Sequence, residues 1–138
     1  MRTFYLFKIK KSYSCLTKDT PYNLFKAIEN IYYLKKEDLS YYNNFFIQIR
    51  DTFNKEYLDN NIFEFYKNKY SYSKVNGVHM INDYYTDEKS KLIINTSYLY
   101  IKSTKNLPTF LKAITKKENI FVCDFESKDY FWLEELMS

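Results

Sequence analysis

Apolar and polar positions first alternate with a period of two. Over Thr3 to Lys10, Phe4, Leu6 and Lys8 share one face and Tyr5, Phe7 and Ile9 the other. Both faces are largely apolar, which predicts an internal strand. Lys11 to Thr20 shows neither a helical nor a strand period and predicts a ten-residue loop, with Tyr13 and Leu16 as its apolar members. Long loops of this kind often carry function. Thr20-Pro21 opens a helix, Thr20 as N-cap and Pro21 in the first helical position. It runs to about Leu34 with Leu24, Phe25, Ile28, Ile31 and Tyr32 on one side. A second helix spans about Lys36 to Asn54, where Leu39, Tyr42, Phe46, Ile49 and Phe53 recur every three or four residues. Phe45 widens that face, and Asn43, Asn44, Gln48 and Arg50 point away from it. A third helix, from about Lys55 to Lys69, places Leu58, Ile62, Phe65 and Tyr66 together.

From Tyr70 the period returns to two. Val78 to Tyr84, Lys91 to Asn95 and Tyr98 to Lys102 predict an antiparallel meander. Thr86-Asp87-Glu88-Lys89 turns the first pair and Asn95-Thr96-Ser97 the second. A helix after Pro108 carries Phe110, Leu111 and Ile114. It leads to Ile120-Phe121-Val122-Cys123, a continuous apolar run that reads as a strand buried on both faces. Asp124 ends the run, and a polar turn returns the chain into Tyr130-Phe131-Trp132. The expectation is one α/β domain over residues 1–138: a layered fold with a mixed, mostly antiparallel sheet of about five strands and helices packed on its faces.

Composition changes this picture little. The 138 residues are 46% hydrophobic and 21% aromatic, enough for a sizeable core. No apolar run reaches membrane-spanning length, and the first residues lack the apolar stretch of a signal peptide, so a cytoplasmic protein is expected. The net charge is +4 but uneven. Arg2, Lys8, Lys10, Lys11, Lys18, Lys26, Lys35 and Lys36 stand near the front, while Asp124, Glu126, Asp129, Glu134 and Glu135 crowd the end. Over-use of Lys, Asn, Ile, Tyr and Phe is also what an AT-rich coding sequence produces.

Candidate chemistry is sparse. Cys15 and Cys123 fit neither a disulfide framework nor a metal knuckle. His79 is the only histidine and Gly77 the only glycine, so zinc spacing and a phosphate-holding glycine loop are both lacking. Asp124, Glu126 and Asp129 gather beyond a strand end, where carboxylates can hold Mg²⁺ or move protons. A solvated turn whose aspartates cap backbone groups is the favoured reading. No enzyme and no cofactor are expected; binding is the more natural class.

The two ends are more specific. Arg2-Thr3-Phe4-Tyr5-Leu6-Phe7-Lys8-Ile9-Lys10, with Tyr13 and Phe25, resembles the start of the sporulation inhibitor of replication (SirA) family. The closing segment resembles that family's D-F-x-S-K-x-Y-x-W-L ending, matched at Asp124, Phe125, Ser127, Lys128, Tyr130, Trp132 and Leu133. The resemblance implies an inhibitor of replication initiation that binds the N-terminal domain of the initiator DnaA during sporulation. It implies no small-molecule substrate, no membrane and no direct nucleic-acid contact. Carried onto this chain, the family's contact positions fall on Tyr13, Thr17 and Gln48; Leu16, the other apolar residue of the loop, completes the expected protein-binding set. Thr17 stands where the family typically has a second aromatic. The alternative is a small basic, Tyr-rich nucleic-acid-binding protein that uses the N-terminal lysines.

Overall fold

The computed structural model describes residues 1–33, 46–115, 117 and 119–137. Its strands are β1 (Arg2–Lys8), β2 (Tyr72–Val75), β3 (Val78–Asp83), β4 (Glu88–Ile94), β5 (Leu99–Ser103), β6 (Ile120–Asp124) and β7 (Asp129–Trp132). They form one sheet in the order β2-β3-β4-β5-β1-β6-β7. The helices are α1 (Lys11–Thr17), α2 (Pro21–Tyr32), α3 (Lys55–Tyr66) and α4 (Phe110–Ile114), with a helical turn over 46–49 and a 3-10 turn over Leu133–Met137. No described helix is long and apolar enough to cross a membrane.

The sheet is α/β in class, as expected, but wholly antiparallel in its strand pairing rather than mixed. The reason is the position of β1. The segment containing α4 carries the chain from β5 to β6, a crossover that would ordinarily build a parallel pair. Here β1 lies between those two strands and pairs antiparallel with both. The expectation that β1 is internal therefore holds. Seven strands replace about five because β2 and β7 complete hairpins at the two edges. Asn76 (φ 51°) and Gly77 (φ 78°) turn β2 into β3, the left-handed pair that a two-residue hairpin loop favours.

Alternation along β1 divides the core. Phe4 and Leu6 join Leu58, Ile62 and Tyr66 of α3 and Phe110 and Ile114 of α4. Tyr5 and Phe7 instead join Leu24, Phe25 and Ile28 of α2, with Trp132 of β7. The same division runs through β6, with Ile120 and Val122 in the first cluster and Phe121 and Cys123 in the second. All five β6 residues are buried, so the doubly buried strand read from Ile120 to Cys123 is present.

Three expectations need correction. Lys11 to Thr17 is a helix and not part of a loop. The second long helix falls partly outside the described residues, including Leu39, Tyr42, Asn43, Asn44 and Phe45. Its end is helical only over 46–49, after which Arg50 bridges to Ile9 and Phe53 joins the α3 cluster. Phe65 is 56% exposed, because Leu58, Ile62 and Tyr66 already fill the inward side of α3 at spacings of four.

Candidate protein-binding surface

α1 forms without an apolar stripe because polar side chains fill its inward positions. The Ser14 hydroxyl, 1% exposed, donates to the Lys11 carbonyl at 3.0 Å and bonds Asn119 Oδ1 at 3.1 Å. Thr17 is buried and donates to the Tyr13 carbonyl at 3.0 Å. Local hydroxyl bonds of this kind satisfy a helix side that lacks hydrocarbon. Beyond the helix, the Lys18 ammonium lies 4.2 Å from the Trp132 ring centre and pairs with Glu134.

A strap over residues 46–51 lies beside the start of α1. The Lys10 N–H donates to the Ile49 carbonyl at 2.9 Å, and the Asp51 N–H to the Lys8 carbonyl at 2.6 Å. Phe46 packs edge-on to Phe7 at 5.4 Å, and Ile49 is buried in the α2 cluster. The backbone of both segments is thus tied down where they leave the sheet. Their outward side chains include Leu16, 77% exposed, and Ile47, 52% exposed.

Tyr13 is half-buried and packs against the α2 cluster. Leu16 and Gln48 are exposed, whereas Thr17 faces inward. Tyr13, Leu16 and Thr17 share α1, and the Lys10–Ile49 bond joins that helix to the strap that carries Gln48. Ile47 stands beside the inward pair Phe46 and Ile49 and was not singled out by sequence.

The carboxylates near β7 are engaged internally. Asp124, buried, accepts from Arg2 Nε at 2.8 Å and from the Ser127 N–H at 3.2 Å, while Asp129 accepts from Arg2 Nη2 at 2.8 Å. Glu126 is exposed. Among the described residues, no group of three or more His, Cys, Asp or Glu side chains could hold a metal ion. Glu29 is held below the usual carboxylate range by Lys128 and then Lys26. Three of the basic residues near the front, Arg2, Lys18 and Lys26, are therefore already paired with acids.

His79 is completely buried. Its Nε2 lies 2.7 Å from Asp59 Oδ1 and its Nδ1 2.8 Å from the Tyr72 hydroxyl. Burial depresses its pKa, outweighing the attraction of Asp59. The neutral ring fits both partners: Nε2–H donates to Asp59, and Nδ1 accepts from Tyr72. This chain of hydrogen bonds joins α3, β2 and β3 through a buried ring. A cavity of about 250 Å³ lies between α2 and the sheet, lined by Tyr5, Phe7, Ile28, Ile31, Tyr32, Phe46 and Tyr98. It is aromatic and apolar.

No protein-family model matches the chain, and no curated protein matches it.

Proposed function

We propose that this chain is a cytoplasmic inhibitor of replication initiation, acting during sporulation by binding the N-terminal domain of the initiator DnaA. The resemblance of its two ends to the SirA family supports the choice of partner. The observation that carries the choice of surface is Leu16, 77% exposed on a helix whose opposite side buries Thr17 and is pinned by Ser14 and Lys18. An exposed apolar side chain on a fixed backbone loses little entropy on docking, which is what an interface anchor requires. In this reading Leu16 is the anchor, and Ile47 extends the apolar contact. Gln48 supplies amide hydrogen bonds at the rim. Tyr13 flanks the anchor while packing on the core, and Thr17 holds the last turn of α1. The two core clusters support a layered α/β domain as the frame for this surface.

The test is calorimetric titration of the isolated N-terminal domain of DnaA at two salt concentrations. One-to-one binding that survives the higher salt is expected. Leu16→Ala should weaken it by roughly thirtyfold, equivalent to about 2 kcal/mol, with no change in melting temperature. Tyr13→Ala should weaken it and also destabilise the fold slightly. Unchanged affinity in both variants removes α1 from the interface. A steep loss of affinity for an oligonucleotide with salt, and no binding to the DnaA domain, favours the nucleic-acid alternative.

A further inference from the structure

Among the described residues, α2 closes the second face of the sheet around β1, β6 and β7. On β3, β4 and β5 the side chains alternate: His79, Ile81, Leu92 and Ile101 are buried on the α3 side. Val78, Met80, Ile93, Tyr100 and Lys102 are half-buried on the other side, where Lys89 and Lys91 are exposed. Strand register aligns this outer face into rows. Val75, Val78, Ile93 and Tyr100 lie side by side across four strands. The next row, about 7 Å along the strands, holds Met80, Lys91 and Lys102. Lys89 follows beyond it. A trough of about 230 Å³ runs past Met1, Met80, Lys89, Lys91 and Lys102.

Two features of the basic row need a cause. Lys91 and Lys102 are directly opposite each other on neighbouring strands, an arrangement that costs stability. Among the described residues, no carboxylate pairs with Lys89, Lys91 or Lys102. An uncompensated like-charge pair beside a half-buried apolar row, open at Val75, fits a ligand that brings both hydrocarbon and negative charge.

We propose that this face docks an acidic amphipathic segment of a partner protein. Its apolar side chains cover Val78, Ile93 and Tyr100, and its carboxylates meet Lys89, Lys91 and Lys102. The aliphatic centre of the row favours peptide over nucleic acid. Val78 and Ile93 offer bases no ring to stack on, and Tyr100 is already met edge-on by Tyr5 at 5.5 Å. The surface is separate from α1 and does not depend on the identity of the α1 partner.

A random 16-residue peptide library displayed on phage, selected against the full chain, tests this directly, with enriched peptides then synthesised and measured by fluorescence anisotropy. Enrichment of sequences that combine apolar residues with Asp or Glu is expected. Lys91→Glu should weaken those peptides at least tenfold. The same substitution converts the Lys91–Lys102 repulsion into an attraction, so the melting temperature should rise by about 1–4 °C. Lys102→Gln should weaken binding less. The proposal is overturned by a failure to enrich acidic amphipathic peptides, or by enriched peptides whose affinity survives Lys91→Glu. Tighter binding of a twelve-residue oligothymidylate, abolished by the same substitution, would also overturn it and assign the face to nucleic acid.

Discussion

β6 and β4 are both interior strands of the sheet, yet they carry opposite sequence patterns. Ile120 to Asp124 is buried at every position. Glu88 to Ile94 alternates buried and solvent-facing residues, with Lys89 and Lys91 exposed and Ile93 half-buried. Hydrogen bonding is not the cause, because each strand has partners on both edges. The difference is what lies above and below. β6 runs between the α3–α4 cluster and the α2 cluster, so hydrocarbon serves on both faces. β4 has the α3–α4 cluster on one face only. An interior strand therefore need not be apolar on both faces; its pattern records how many of them are covered.

The sharpest way to break this comparison is truncation. Phe121→Ala should cost about 3–5 kcal/mol, because the ring is fully buried and packs on Trp132 at 5.0 Å. Ile93→Ala, on the half-exposed face, should cost about 1 kcal/mol, less than a full burial of that side chain is worth. Urea unfolding of both variants measures the contrast, and equal losses would break it.

A smaller effect separates the two aspartates that share Arg2. Asp124→Ala should lower stability by about 1–3 kcal/mol, because it strands Arg2 Nε and the Ser127 N–H next to buried structure. The Asp129 side chain is 50% exposed, and Asp129→Ala should cost less than about 1 kcal/mol. A lower melting temperature for Asp124→Ala than for Asp129→Ala is the expected result.

The smallest effect is on pH dependence. The folded pKa of His79 lies below its ordinary 6.5 because the ring is buried. As pH falls through about 6.5, the unfolded chain takes up this proton before the folded one does. Stability present at pH 7 should therefore decline toward pH 5, until the folded His79 also protonates. Thermal melts of wild type and His79→Gln across that window check this; His79→Gln should show a flatter slope. A parallel decline in both would remove His79 as the cause.

Much of this organisation was legible because hydrocarbon was spaced regularly. Phe110, Leu111 and Ile114 marked α4, and Leu58, Ile62 and Tyr66 marked the inward side of α3. α1 was not legible, since its inward side is built from Ser14 and Thr17, which look like loop residues until Asn119 and the Tyr13 carbonyl accept their hydroxyls. β2 left a signal in Asn76-Gly77, the strongest short hairpin cue in the chain, but Tyr72 to Val75 lacks the apolar content that marks a strand. In the candidate surface, Leu16 was visible as an apolar residue in a polar stretch. Its exposure depended on α1 being a helix with its other side pinned.

By itself, the sequence determined which segments had hydrocarbon to bury and how many faces of each could be buried. Periodicity is a local property and survives without knowledge of partners. Only the tertiary structure decided that β1 would lie between β5 and β6, which made every strand pairing antiparallel. It alone brought His79 to Asp59 and Arg2 to Asp124 and Asp129. These contacts join positions 20 to 127 residues apart, and the spacing of side chains along the chain holds no record of which distant polar group will meet which.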